Sequence, residues 1–533
     1  SNTLTVVRIL DGDYNGASAE VSSSEFQETY RTPHQNVLTS SIGNAFKLTT
    51  LADGAAMNNR GVTAGADGTG VTTSGFRQYH SATSRLHNTT GSNSTLLSGS
   101  KDNVRWEVTN RNEGKGTFTL NIRRGDDSNK RKQVLESYSN ISLDPNTNNY
   151  IGKAIGTQYE TVGTDENGKP FLKLVGDYPR KSKYVRVSEI INTVNYLDEN
   201  GEVRVSSSID TLPSNGSGSN WGTFTGGSDG FQGFDSLGNP SGTDDSVCNF
   251  YEDISATNSQ GFDPTTAASG KSSYEEALDL LSNQDEYDIN LILVPGIIGS
   301  VHPAVATKVI DVCEDRGDCF AIIDPVEYGK NVADATEQAE SRDSNYAGMY
   351  WPWVKVPDSQ LGVQRWVPPS VVLGGIYAFN DKVAHPWFAP AGLNRGGIDT
   401  AVQAERKLTQ SNRDDLYESN VNPIATFPGQ GVTVFGQKTL QKKASALDRI
   451  NVRRLLIKVK KFIASSSRFL IFEQNTAATR RRFLSIANPF LEQVQSQSGL
   501  NAFRVVMDET NNTPDTIDRN YLVGQLFLQP TRT

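Results

Sequence analysis

The residues with a type and spacing that could do chemistry are few. Ser300 and His302 close an apolar run in "GSVHP", where a nucleophile and a base could meet at the end of a strand. The stretch lacks the G-x-S-x-G turn that exposes such a nucleophile. Ser300 is instead expected to start the helix whose first turn holds Pro303. "ASGKSS" (268–273) carries Gly-Lys-Ser, but a phosphate-binding loop needs glycine at 265, and Thr265 stands there. The stretch reads as a helix cap. Cys313 and Cys319 have five residues between them and no second Cys/His pair, which excludes the usual zinc spacing. Asp244-Asp245 lacks the spaced oxygen ligands of a calcium loop. His34, His80, His87 and His385 are isolated among loops. The expectation is no catalytic residue, no metal, no cofactor and no enzyme.

Charge is the remaining chemistry. The 533-residue chain has a net charge of −9, yet "NVRRLLIKVKKFI" (451–463) carries Arg453, Arg454, Lys458, Lys460 and Lys461 and no acid. From Lys438 to Arg482 there are 13 Lys/Arg against 2 Asp/Glu, a net of +11, while the remainder holds 38 cations and 58 anions. Val452, Leu455, Leu456, Val459, Phe462 and Ile463 repeat at helical spacing, with Asn451 as N-cap. Arg453, Arg454, Lys460 and Lys461 then point away from the apolar stripe, with Lys458 at its edge. A solvated face normally mixes signs to gain i,i+4 pairs, and cations beside the positive end of a helix dipole cost about 0.3–1 kcal/mol each. This pattern reads as a face that binds an acidic surface. Lys442, Lys443, Arg480, Arg481 and Arg482 form a secondary basic patch.

The elements that position these residues fall into three textures. From about Asp11 to Gly270, short alternating runs such as "VRWEVTN", "GTFTLNIRR" and "SKYVRVSEII" sit among Gly, Ser, Thr, Asn and Asp, which predicts β-rich, loop-heavy domains with a break near residue 100. Residues 211–245 approach low complexity and read as long loops. From Ser272 to Val421 a helix opened by a Ser272/Glu275 capping box, the apolar run 289–297, a helix over 303–315 and the strand "CFAIIDP" give the rhythm of a parallel sheet. From Asn422 a compact α+β unit is expected: "GVTVFGQKTL", the basic helix, a strand "SRFLIFEQ", a helix from Thr476 to Leu500 interrupted at Pro489, then two strands. "TLTVVRIL" is expected to pair into the α/β sheet, making residues 11–270 an insertion. Three cysteines exclude a disulfide framework, and no apolar run is long enough to cross a membrane as a helix. Strand patterns running to both ends suggest a piece of a longer polypeptide.

"NVRRLLIKVKKFI", "FLIFEQNTAATRRRFLSIANPFLEQV" and "FRVVMDETNNTPDTIDRNYLVGQLFLQPTRT" closely resemble the C-terminal domain of contractile phage tail sheath proteins. "WPWVKV", "RWVPPSVVLGGIYAFND" and "HPWFAPAGLNRGGI" look like the sheath core, and "GTFTLNIRRGDDSNKRKQVLESYSNISLDPNTNNY" is similar to the protruding domain of T-even-like sheaths. The resemblance implies an α/β and β multidomain chain. Residues 1–11 and 271–421 would form a discontinuous subtilisin-like α/β sheath core without its Ser/His/Asp arrangement. Residues 12–21 and 101–270 would form an inserted β-rich, barrel-like protruding domain, 22–100 an outermost loop-rich β domain, and 422–533 a C-terminal α+β inner domain facing the tail tube. It implies a structural subunit that stacks as hexameric rings around the tube and contracts to drive it through the bacterial envelope for genome delivery.

The implied tube-binding residues are Arg453, Arg454, Lys458, Lys460 and Lys461. The implied partners are other sheath subunits, the tube protein, and baseplate and tail terminator proteins, in a virion tail assembled in the host cytoplasm, with no nucleic acid and no membrane. Family members join neighbours through terminal arms, and none is visible here, so a monomer in solution is expected. Two alternatives use the same features: a nucleic-acid-binding protein using the basic helix, and an adhesin-type virion protein using the β-rich insertion.

Overall fold

The computed structural model describes residues 4–7, 9, 14–22, 44–59, 96, 99–112, 115–190, 212–213, 222–224, 226–229, 254–257, 259, 263–265, 269–359 and 362–531. Most of the expected loop stretch 211–245 lies outside them. The chain divides into two compact units, one of Arg8–Cys248 with Gln260–Asp263, the other of Ser1–Val7, Asn249–Ser259 and Pro264–Thr533.

The first of these is built from short alternating strands: β1 (Tyr14–Ser22), β2 (Asn44–Asp53), β3 (Val104–Asn112), β4 (Thr117–Arg124) and β5 (Val134–Ser142). A one-turn helix α1 (Ile151–Ile155), the hairpin β6 (Tyr159–Thr164) and β7 (Pro170–Val175), then β8 (Val185–Ile190) and β9 (Ser228–Asp229) complete it. The sheets are β8-β2-β1-β9, β3-β4-β5 and β6-β7. Period-two alternation turns Phe46 and Leu48, Phe118, Leu120 and Ile122, and Val185 and Val187 into one core shared by the first two sheets. Phe46 and Phe118 stack with ring centroids 5.9 Å apart. Among the described residues these are two open sheets over one core rather than the expected barrel. β2 pairs with both β1 and β8, so Asn44–Asp53 is no separate outer domain as the 22–100 boundary had it.

Off that core lies a buried ion network. Arg123 grips Asp127 through two hydrogen bonds of 2.7 and 2.8 Å and approaches Glu107 at 3.3 Å. Lys132 reaches Glu107 at 2.6 Å. Burial and the neighbouring Arg123 push Arg105 down to about 10.

The other unit opens with α2 (Ser269–Leu281), β10 (Leu291–Ile298), α3 (Pro303–Arg316), β11 (Phe320–Asp324), α4 (Val332–Glu340) and β12 (Ala347–Trp351). It continues with β13 (Val354–Asp358), β14 (Val363–Val367), α5 (Pro369–Val383), β15 (Gln403–Ala404), α6 (Gln410–Glu418), β16 (Val421–Phe427) and β17 (Gly431–Val434). Last come α7 (Ile450–Ser467), α8 (Ala477–Ser496), β18 (Leu500–Val506), α9 (Pro514–Asp518) and β19 (Gln525–Pro530). The main sheet runs β10-β11-β12-β16-β17, parallel through β16 and closed by an antiparallel β17. β11 and β12 are buried along their whole length, as an apolar run in a parallel sheet requires. The fold is thus a mixed α/β, several-sheet protein.

Five expectations change. Leu4–Val7 joins no strand, and Leu4 and Val6 are 80% exposed: alternation alone does not choose a sheet edge. α2 begins at Ser269, so Ser272 lies within it, and Glu275 pairs with Lys271 at 2.8 Å instead of closing a capping box. β16 and β17 finish the main sheet, so a boundary at 421/422 cuts through it. "SRFLIFEQ" is no strand. α7 runs to Ser467 and a 3₁₀ turn follows over Arg468–Leu470, because Leu470 is the one residue of that run with a core to enter. α8 passes through Pro489 without interruption.

Candidate interaction surface

α7 starts two residues earlier than its sequence suggests. Arg449 takes the N-cap position with no side-chain cap, and Asn451, expected to cap, is buried in the first turn with Nδ2 donating to the Trp387 carbonyl at 3.2 Å. The helix has two apolar contacts rather than one stripe. Ile450 and Ile457 enter the core beneath the main sheet with Phe320, Ile322 and Ile424. Leu455 and Val459 pack against Leu491, Val494 and Leu500 of the α8–β18 layer.

A helix enclosed from two sides buries its first polar residues as well, and this decides where the cations go. Arg453 is buried, its guanidinium 4.0 Å from the centre of the Tyr346 ring, with Nη2 donating to Asn345 at 2.5 Å. Burial lowers its pKa. Arg454 lies 4.7 Å over the Tyr377 ring and forms an ion pair with Asp381 at 2.6 Å. Lys461 is half-buried, donating to Asp288 and to the Ile289 carbonyl at 2.6 Å each. That hydrogen bond and charge hold the Asp288 carboxyl below its ordinary range. Lys460 is exposed but touches the Tyr346 hydroxyl at 3.2 Å. Lys458 is exposed with no ion pair among the described residues. Of the five residues expected on one face, the structure therefore sets two inside the protein, ties a third to the 284–289 turn and leaves Lys458 and Lys460 outward.

The secondary patch is the better-presented one. Lys442 and Lys443 are exposed, Arg480 is buried, and Arg481 and Arg482 are exposed in the first two turns of α8. Thr476 caps α8 through the Thr479 amide, and the first turn holds no acid. Arg481 and Arg482 thus face solvent in the second turn with no acid in ion-pair range among the described residues. Beside them lies an apolar tip that periodicity missed. Leu470 is buried with Phe483 and Ala487 of α8, which seats the 468–472 turn over the helix's N-terminal half. Phe469 and Ile471 are exposed and Phe472 is fully exposed, with φ at +70°. A non-glycine residue there is strained. The mistaken strand reading hid this tip.

The chemistry candidates resolve differently. His302 is buried with both ring nitrogens engaged: Nδ1 accepts from the Ile298 amide at 3.1 Å, and Nε2 faces the Ser255 carbonyl at 2.7 Å. It is also the backbone N-cap of α3, a role expected of Ser300. Asp324, at the end of β11, is fully buried and accepts from the Ser370 amide at 3.0 Å and hydroxyl at 2.5 Å. It is thereby a carboxylate cap on α5, and burial pushes it up to about 7. Among the described residues no histidine hydrogen-bonds to this Asp–Ser pair, so it has the geometry of a helix cap and not of a charge-relay site. Cys313 and Cys319 lie together without a third metal-ligating side chain, and no group of three such residues occurs among the described residues.

Residues 270–440 match the phage tail sheath protein central domain, and residues 442–532 match the phage tail sheath C-terminal domain. The tail sheath protein of Vibrio phage KVP40 is 39% identical over 191 residues, 36% of this chain and 27% of that protein. The tail sheath protein of Enterobacteria phage T4 is 31% identical over 278 residues, 48% of this chain and 42% of that protein. These matches span less than half the length of either relative. A sheath tail protein from Listeria innocua has a similar structure at 10% identity, with a TM-score of 0.48 over 98% of this chain and 82% of that one.

Proposed function

We propose, from a chain that belongs to the contractile phage tail sheath family through residues 270–532, that it is a structural and not a catalytic subunit. It stacks with copies of itself as hexameric rings around a tail tube, and the assembly contracts to drive the tube through a bacterial envelope. Assembly takes place in the host cytoplasm, and baseplate and terminator proteins close the two ends. The observation that carries this reading is the run of two successive sheath domains over the α/β sheet and the C-terminal layer, together with His302 and Asp324 both committed to structural hydrogen bonds. The parallel sheet with helical crossovers supports a subtilisin-like core that holds no protease site.

The tube-facing residues in this proposal are Arg481 and Arg482, with Lys458 and Lys460 secondary, because on α7 and α8 these are the cations left outward. Exposed ion pairs contribute about 0–1 kcal/mol each. Contacts that weak, repeated around every ring, hold an extended lattice and release together when subunit packing changes. The test is electron microscopy of the protein assembled with its tube. Arg481→Glu with Arg482→Glu is expected to give sheath that no longer co-assembles in the extended form. Normal extended particles from that variant would remove the assignment of these residues, and the absence of any tubular assembly by the full-length wild-type protein would remove the sheath reading itself.

A further inference from the structure

Cys313 and Cys319 have no part in the function proposed above. Cys313 stands on the last full turn of α3 and Cys319 immediately before β11, and both are entirely buried in the core cluster behind the main sheet. Their sulfurs lie 3.3 Å apart in a sulfur–sulfur hydrogen bond. A disulfide requires about 2.05 Å, so closure needs a displacement of a little over 1 Å.

The turn between them is held in place. Gly317 caps α3 in the left-handed region, its amide donating to the Cys313 carbonyl at 2.9 Å. Arg316 grips Asp318 at 2.8 and 3.0 Å and donates to the carbonyls of Leu281 and Tyr287, which ties the turn to the end of α2 and the segment after it. A turn fixed in this way keeps the sulfurs facing each other through thermal motion. A single buried thiol acts as a small hydrophobe, but two in contact can also exchange electrons.

We propose that Cys313 and Cys319 form a reversible dithiol–disulfide pair that staples the end of α3 to the start of β11 when the protein meets a small-molecule disulfide such as oxidised glutathione. Cys319 is the attacking sulfur: contact with Cys313 and the nearby Arg316 charge lower its thiol pKa, while contact with Cys319 and burial raise that of Cys313. The thiolate attacks one sulfur of the oxidant and expels a thiolate, leaving a mixed disulfide on Cys319. Cys313 then loses its proton and attacks Cys319, forming the Cys313–Cys319 bond and expelling the second thiol. The protein dithiol is oxidised by two electrons and the oxidant is reduced to two thiols. Both sulfurs are covered, so the reaction passes through local opening of the turn, where Glu314 and Asp315 face solvent. The staple would form slowly outside a reducing cell and stay open within one.

The experiment uses the full chain with Cys248→Ser, so that two thiols remain. After incubation with oxidised glutathione, thiols are counted in denaturant and the unreduced peptide spanning 313–319 is weighed. The expected result is loss of both thiols together, a peptide lighter by two hydrogens and a thermal midpoint raised by roughly 3–8 °C, all reversed by dithiothreitol. Cys313→Ala should stop at a lasting glutathione adduct on Cys319 with no rise in midpoint. Two thiols still free after the folded protein is treated, while an unfolded control oxidises, would overturn the proposal. So would a persistent adduct on the intact pair, or a closed bridge with no change in midpoint.

Discussion

The two halves of the α7–α8 segment carry the same kind of charge and do opposite things with it. Arg453 and Arg454 at the start of α7 are enclosed between the main sheet and the α8–β18 layer, each over a tyrosine ring, one of them paired with a carboxylate. Arg481 and Arg482 at the start of α8 have one side open to water. Neither helix has an acid in its first turn, and both pairs lie at or just past that turn, where the dipole acts weakly. The difference lies in what packs around them. An enclosed cation needs internal partners and becomes part of the fold. An exposed one, with no ion pair among the described residues and at most a bond to its own helix such as Arg481 Nε to the Ala477 carbonyl, presents its charge to another molecule. A basic run therefore shows where charge sits along the chain but not which way it faces.

The sharpest way to break that contrast is to remove a partner from the enclosed pair. Asp381→Ala leaves Arg454 charged, buried and unpaired, and is expected to destabilise the protein by about 3–5 kcal/mol, read as a fall in the denaturant midpoint. Arg454→Met with Asp381→Leu should recover most of that loss, since an apolar pair of similar volume costs little there. If Asp381→Ala were silent, Arg454 would be reaching solvent and the two halves would not differ.

Asp324 extends the contrast to an acid. Burial raises its folded pKa to about 7, well above the ordinary carboxylate value, so between about pH 4 and 7 the folded protein holds a proton that the unfolded chain has released. Stability must then fall as pH rises through that window, by at most about 1.4 kcal/mol per pH unit from this group, and level off above 7. Asp324→Asn keeps an acceptor for the Ser370 amide and should flatten the slope. Denaturation midpoints measured from pH 4.5 to 8 decide it, and an unchanged slope would mean the carboxyl is ionised in the fold.

What the sequence made legible follows from range. The helix and strand rhythm of 289–324 and the alternation of β3 and β4 are local patterns, and they became the elements expected. The enclosure of Arg453 and Arg454 depends on Tyr346, Tyr377 and Asp381, which lie at least 70 residues away, and no local period carries that information. Phe469, Ile471 and Phe472 were misread for the converse reason. Their types favour a strand, but among the described residues no strand pairs with them, and they form a turn with an exposed apolar tip. The tip gives the next effect in size. Phe472→Gly relieves a left-handed backbone and should raise stability by about 1 kcal/mol, whereas Phe472→Ala, which keeps the Cβ, should not.

The smallest stability effect tests the other side of the contrast. Arg481→Glu and Arg482→Glu replace solvent-facing cations in the second turn of α8 with anions, where the dipole contributes at most about 0.3 kcal/mol. The folded monomer should be unchanged or slightly more stable, while Asp381→Ala is severely weakened. Lys461→Ala belongs between them: its ion pair with Asp288 is 2.6 Å long, but Asp288 is mostly exposed, so the loss should stay below about 1 kcal/mol and shrink further in 0.5 M salt. If charge reversal at 481 and 482 instead unfolded the chain, those arginines would be held by partners inside the protein, and the outward face would have to be sought at Lys458 and Lys460.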